Sequence, residues 1–174
     1  MHANASIDIG GTLLAHVAEL GAALRARGWR MATAESCTGG LLAGACTAPA
    51  GASDWFDAGF VTYANAAKSR LLGVPDALIA RHGAVSAEVA DAMARGALAH
   101  AQVQLALSIT GIAGPGGGSA AKPVGTVWLG LAWTHGDAVE GRTECLQLDG
   151  DRAAIRARTV AIALQRLVAA ARAS

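Results

Sequence analysis

Apolar positions along this chain alternate between helical spacing and short continuous runs, and that alternation predicts an order of helices and strands. Leu13, Leu14, Val17, Leu20 and Leu24 recur at helical spacing and stop at Arg27-Gly28, a glycine-terminated helix end. Residues 29–34 read as a short buried strand, and 41–46 have the length and composition of a helix's first turns. Pro49, Gly51 and Ser53 punctuate a loop, after which 58–63 read as a second strand and 64–72 as a short helix closed by Gly73-Val74-Pro75. Ser86, with Glu88 in the next turn, opens a long alanine-rich helix running towards Gln104, on which Val89, Met93 and Leu98 repeat. Residues 105–110 form the nearly continuous apolar run of a strand covered on both faces. Residues 126–133 and 139–148 are consecutive strands joined as a hairpin through Thr134-His135-Gly136-Asp137. From 151 to 172, Ile155, Val160, Ile162, Leu164, Leu167 and Val168 give a last helix that packs back on the sheet. The expected fold is α/β, a single-domain three-layer α/β/α sandwich with a mixed sheet spanning residues 1–174. Residues 1–10 are expected to be disordered.

Composition narrows the function classes. Of the 174 residues, 53% are hydrophobic and 16% charged, which suits a close-packed globule rather than a disordered chain. A net charge of +1, with 14 basic residues scattered along the chain, provides no field to gather nucleic acid or an anionic membrane. Cys37, Cys46 and Cys145 are three in number and match no zinc or redox spacing, so they read as reduced cytoplasmic thiols. No basic-then-apolar leader and no apolar stretch of about 20 residues is present, so a soluble cytoplasmic protein is expected. The five histidines show no pairing at ligand spacing, and no metal is assigned.

Candidate chemistry gathers at strand ends, where open α/β sheets usually bind ligands. In Thr33-Ala34-Glu35-Ser36-Cys37-Thr38-Gly39-Gly40, Ser36 sits at a strand-to-helix turn. The amides following it can hold an oxyanion or a phosphate, and Gly39 and Gly40 allow close approach. The alternative is that Ser36 or Thr38 only caps the helix. Tyr63 ends a strand and Lys68 follows five residues later, so both can face the same crevice. A buried lysine can act as base to a serine; an exposed one is merely solvated. The loop from Thr110 through Gly111, Gly114 and Gly116 to Pro123 offers amides without side chains in the way, as a phosphate cradle needs. Glu35 and Asp57 can each orient a lysine, polarise a water or simply be solvated. Trp128 and Trp133 read as core or interface residues, and with the apolar composition they are compatible with a homodimer.

The Ser36 segment, Val61-Thr62-Tyr63 with Lys68, Gly83-Ala84-Val85-Ser86, Thr110-Gly111-Ile112-Ala113-Gly114-Pro115 and Lys122-Pro123-Val124-Gly125-Thr126-Val127 together resemble the CinA C-terminal family, the nicotinamide-nucleotide amidases. The resemblance runs in register from the first helix to Gly150-Asp151-Arg152 and the final helix. It implies a bacterial enzyme, without the additional N-terminal domain of some members, that hydrolyses nicotinamide mononucleotide to nicotinate mononucleotide and ammonia in pyridine-nucleotide recycling. Ser36 would attack the amide carbon, Lys68 would take its proton and Tyr63 would assist, with no metal or organic cofactor. Amides from Thr38 to Gly40 would hold the oxyanion, and the 111–116 loop, Thr110 and Arg152 would hold the phosphate. Direct attack by water activated by Lys68 or Glu35, and a non-catalytic nucleotide-binding module, stay open. The loop 116–121 is richer in glycine and alanine than expected for the family.

Overall fold

The computed structural model describes residues 11–173, so the expectation for 1–10 lies outside the described residues. Helix α1 (Gly11–Arg27) leads into strand β1 (Met31–Glu35), helix α2 (Leu41–Thr47), strand β2 (Phe56–Val61) and helices α3 (Asn65–Leu72), α4 (Asp76–His82) and α5 (Ala87–Ala101). Strands β3 (Leu105–Gly111), β4 (Thr126–His135) and β5 (Ala138–Gln147) follow, and helix α6 (Arg152–Ala173) ends the described chain. The five strands form one sheet in the order β2-β1-β3-β4-β5. β1 runs parallel to both β2 and β3, whereas β4 and β5 are antiparallel to the strands before them, so the sheet is mixed as expected.

Strand parity sorts the side chains into two unlike layers. Met31, Leu105, Leu107, Ile109, Val127, Leu129 and Leu131 join the core beneath α1, α2 and α6. The opposite face carries Ala32, Ala34, Ala106 and Ala132, small enough for α5 to lie close with Val89, Met93 and Ala97 buried on it. Closeness reaches its limit at Gly130, where an added Cβ would stand 2.3 Å from the Ala90 carbonyl oxygen. The Ser108 hydroxyl donates to that same carbonyl at 2.6 Å, which satisfies the buried polar group.

Several boundaries, and one helix, differ from the sequence reading. β2 spans Phe56–Val61 rather than 58–63, so Tyr63 lies beyond the strand and is exposed. α5 stops at Ala101 because Gln102 turns left-handed at φ 53°. Thr134 and His135 belong to β4, leaving Gly136 and Asp137 as the turn. α4 has no counterpart in the sequence reading: it is short and buries only Ile79, so it shows no repeating apolar signal.

β1 is followed by α2 and β2 on one side in the sheet and β3 by β4 on the other, so the chain leaves the β1–β3 pair in opposite directions. That reversal opens a crevice beyond the carboxyl ends of β1 and β3.

Candidate active site

The turn after β1 is held by a buried carboxylate. Glu35, 1% exposed, accepts through Oε2 from Thr38 Oγ1 at 2.7 Å and from the amides of Gly40 and Leu42, both at 3.1 Å. Its Oε1 accepts from the Ala43 amide at 2.8 Å. Four donors at the start of α2 are thereby engaged, and Glu35 faces neither Lys68 nor the crevice. Gly39 and Gly40 make the turn possible, with φ of 61° and 95° that side-chain-bearing residues rarely adopt.

Ser36 stands half-buried at the tip of β1, where its amide extends the ladder by donating to the Ile109 carbonyl at 2.9 Å. Lys68, on α3, is 1% exposed and donates through Nζ to Ser36 Oγ at 3.1 Å and to the Thr62 carbonyl at 2.9 Å. Among the described residues no carboxylate pairs with it. Burial without a counter-charge pulls its pKa below the ordinary 10.5, towards the neutral amine that a general base must be.

An open cleft of about 250 Å³ lies over Ser36, walled by Cys37, Tyr63, Arg152 and the loop Gly111, Ile112, Ala113, Gly114, Gly116 and Gly117. The amides of Ala113, Gly114, Gly116 and Gly117 carry no hydrogen bond among the described residues. Arg152 ties two walls together, donating to the Gly114 carbonyl and to the Tyr63 hydroxyl, both at 3.0 Å. A second depression, between α1 and α6, is lined by alanines, Arg27 and the Glu19–Arg172 ion pair and holds neither nucleophile nor base. Among the described residues no group of three or more His, Cys, Asp or Glu is placed to hold a metal ion.

A model of the CinA C-terminal domain matches residues 14–171 of the sequence. The chain belongs to the CinA C-terminal domain family. A nicotinamide-nucleotide amidohydrolase PncC from Enterobacter agglomerans is 52% identical over 147 residues, which cover 84% of this chain and 88% of that protein. The PncC of Pseudomonas putida is 53% identical over 149 residues, 86% of this chain and 91% of that one. The crystal structure of the competence/damage-inducible protein CihA from Agrobacterium tumefaciens superposes with a TM-score of 0.87 at 42% identity, covering 92% of this chain and 96% of that one.

In this CinA C-terminal domain, the crevice brings together Ser36, Lys68, Tyr63, Gly111, Gly114, Gly116 and Arg152. Others are turned elsewhere. Thr110 faces the α5 side, where its hydroxyl donates to the Ala84 carbonyl at 2.7 Å, so it ties down the segment before α5 instead of reaching the cleft. Asp57 pairs with Arg30 at 2.9 Å, away from the site. Tyr63 is 60% exposed and its hydroxyl accepts from Arg152, without a bond to Ser36 or Lys68. The amide of Gly40 is taken by Glu35 and that of Gly39 by the Ser36 carbonyl at 3.0 Å, which corrects the expected oxyanion donors. The amides of Cys37 and Thr38 bond to no other residue among the described residues. Sequence reasoning passed over Arg156, although its spacing of four from Arg152 puts both on one face of α6.

Cys37, beside Ser36 in the cleft, is poorly suited to act as a nucleophile. Burial pushes its thiol up to about 11, against the pull of its own backbone amide, Arg152 and Arg156. A protonated thiol is a poor nucleophile. Iodoacetamide at neutral pH is therefore expected to modify the exposed Cys145 first, with ammonia release unaffected. Peptide mapping that finds Cys37 alkylated first, with activity lost in step, would contradict this.

Proposed function

We propose that this protein hydrolyses the carboxamide of nicotinamide mononucleotide to nicotinate mononucleotide and ammonia. The observation that carries the reading is the buried, unpaired Lys68 amine 3.1 Å from Ser36 Oγ, at the floor of a cleft lined by glycine amides. Relatives about as long as this chain and 52–53% identical to it are named for that activity.

The geometry supports a two-step acyl transfer. Neutral Lys68 takes the Ser36 proton as Oγ attacks the amide carbon, and the resulting oxyanion is met by the Cys37 and Thr38 amides. The lysine ammonium then gives its proton to the departing nitrogen, which leaves as ammonia while an ester to Ser36 remains. Water, deprotonated by the same amine, attacks that ester and releases the acid. The free amides of the 113–117 loop, with Arg152 at its edge, suit the substrate phosphate. Tyr63, bonded to Arg152, shapes the rim and fixes that guanidinium.

Lys68 Nζ lies 3.1 Å from Ser36 Oγ, within reach of its proton, which favours serine attack over direct attack by water. Glu35, engaged with four donors, is not placed to activate water. The same reading makes the protein a bacterial, cytoplasmic homodimer of single-domain subunits acting in pyridine-nucleotide recycling. Its support is the family, three free cysteines and the long exposed edge strand β5. Among the described residues no helix is long and apolar enough to cross a membrane.

The test is an assay of purified protein on nicotinamide mononucleotide with a chelator present. Ammonia and nicotinate mononucleotide should appear in equal amounts, and acid-quenched samples should show a nicotinoyl-nucleotide adduct on the Ser36 peptide. Tight binding of the mononucleotide with no ammonia would replace the enzyme reading with that of a binding module.

A further inference from the structure

One turn beyond Arg152 on α6, Arg156 reaches beneath the nucleophile turn. Its Nη2 donates to the Thr38 carbonyl at 3.0 Å, and a Cβ built on Gly39 would lie 3.5 Å from that nitrogen. The Nε of the same guanidinium is buried and has no hydrogen-bond partner. An unpaired buried donor is a standing cost. Helix packing alone would be better served by an apolar residue, so the arginine needs another reason to be there.

Its acceptor is the end of a chain of peptide groups. The Thr38 carbonyl and the Gly39 amide belong to one peptide, and that amide donates to the Ser36 carbonyl at 3.0 Å. The Ser36 carbonyl and the Cys37 amide belong to the next peptide, and the Cys37 amide bonds to no other residue among the described residues. Cys37 lines the cleft beside Ser36. A cation on the Thr38 carbonyl therefore polarises two peptides in series and strengthens the donor at the far end. Without the guanidinium, that carbonyl keeps only a 3.3 Å bond from the Leu41 amide.

We infer that Arg156 is a positioning residue, which fixes the Ser36–Gly39 turn and polarises the Cys37 amide that receives the oxyanion. The inference rests on the amidase reading for its chemistry. Arg156 itself touches no substrate in this account; it acts through the turn.

The test uses the full chain with Arg156→Gln and Arg156→Lys, read by steady-state kinetics, thermal unfolding and backbone amide shifts of ¹⁵N-labelled protein. Loss of a direct oxyanion donor costs about 10²–10³ in kcat, so loss of its polarising partner should cost about tenfold or somewhat more. KM should stay within about twofold, because the interaction belongs to the transition state. Arg156→Lys, retaining charge and a donor, should recover part of kcat. The Cys37 and Gly39 amide protons should move upfield in Arg156→Gln and less in Arg156→Lys. Unmoved Cys37 and Gly39 amides would overturn the inference, as would a raised KM at unchanged kcat, which would make Arg156 a substrate-binding cation. A kcat loss accompanied by a lowered Tm and shifts all along α6 would also overturn it, in favour of a structural role. Absence of ammonia release from the wild type would defeat the amidase reading separately, and the two amide shifts would still decide whether Arg156 polarises the turn.

Discussion

Ser36→Ala and Lys68→Met should each lower kcat for ammonia release by about 10³-fold or more, and the double variant should be no worse than either single one. In the proposed mechanism both side chains act in one proton transfer, so removing either removes the whole step. The two variants differ in stability. Ser36→Ala deletes a half-buried hydroxyl and leaves Lys68 its bond to the Thr62 carbonyl. Lys68→Met exchanges a buried amine lacking a carboxylate partner for an apolar chain of similar length, so the variant should be at least as stable as the wild type at neutral pH. pH separates the contributions further. Burial lowers the folded-state pKa of Lys68 below 10.5, so the unfolded chain holds that proton more tightly. The destabilisation is present below the folded pKa and is relieved as pH rises through it towards 10.5, so wild-type stability should climb across that window while that of Lys68→Met should not. With Lys68 as the proposed base, the rising limb of kcat/KM with pH should follow the same proton. Turnover by Lys68→Met near the wild-type rate would remove the base from the mechanism.

Glu35→Ala should lower stability by about 3–5 kcal/mol, a fall in Tm of about 10 °C for a chain of this size. Truncation strands the Thr38 hydroxyl and the amides of Gly40, Leu42 and Ala43, in a place where water enters poorly. Glu35→Gln keeps one acceptor oxygen and should fall between. Thermal unfolding measured beside kinetics distinguishes this from a catalytic carboxylate. A Glu35→Gln variant with wild-type Tm and no turnover would show that Glu35 does chemistry.

Much of this arrangement was legible in the sequence. The apolar run at 105–110, the hairpin and the glycine pair at Gly39 and Gly40 each have a local cause, and local causes survive in a one-dimensional reading. Ser36 and Lys68 could be named as a pair because each follows a strand end, but burial of the lysine depends on packing that spacing does not record. Thr110 illustrates the opposite case. Its neighbours are apolar on both sides, so no alternation told which face of β3 it occupies, and the structure turns it towards α5. Glu35 misled for a different reason: an acidic residue beside a candidate nucleophile suggests acid–base work, yet its partners are the amides of the helix that follows. Arg156 carried a usable signal in its spacing from Arg152, but a helical arginine is ordinarily a solvated one.

The walls of the cleft are contributed in a fixed temporal order. Translation delivers Ser36 and Lys68 early, and the ribosome must still make β4, β5 and then α6 before Arg152 can clasp Gly114 to Tyr63. Until that helix docks, the cleft lacks the Arg152 guanidinium and nothing ties its Gly114 wall to its Tyr63 wall. A chain that ends before α6 thus has Ser36 and Lys68 in its sequence but no clasped rim to hold a substrate over them.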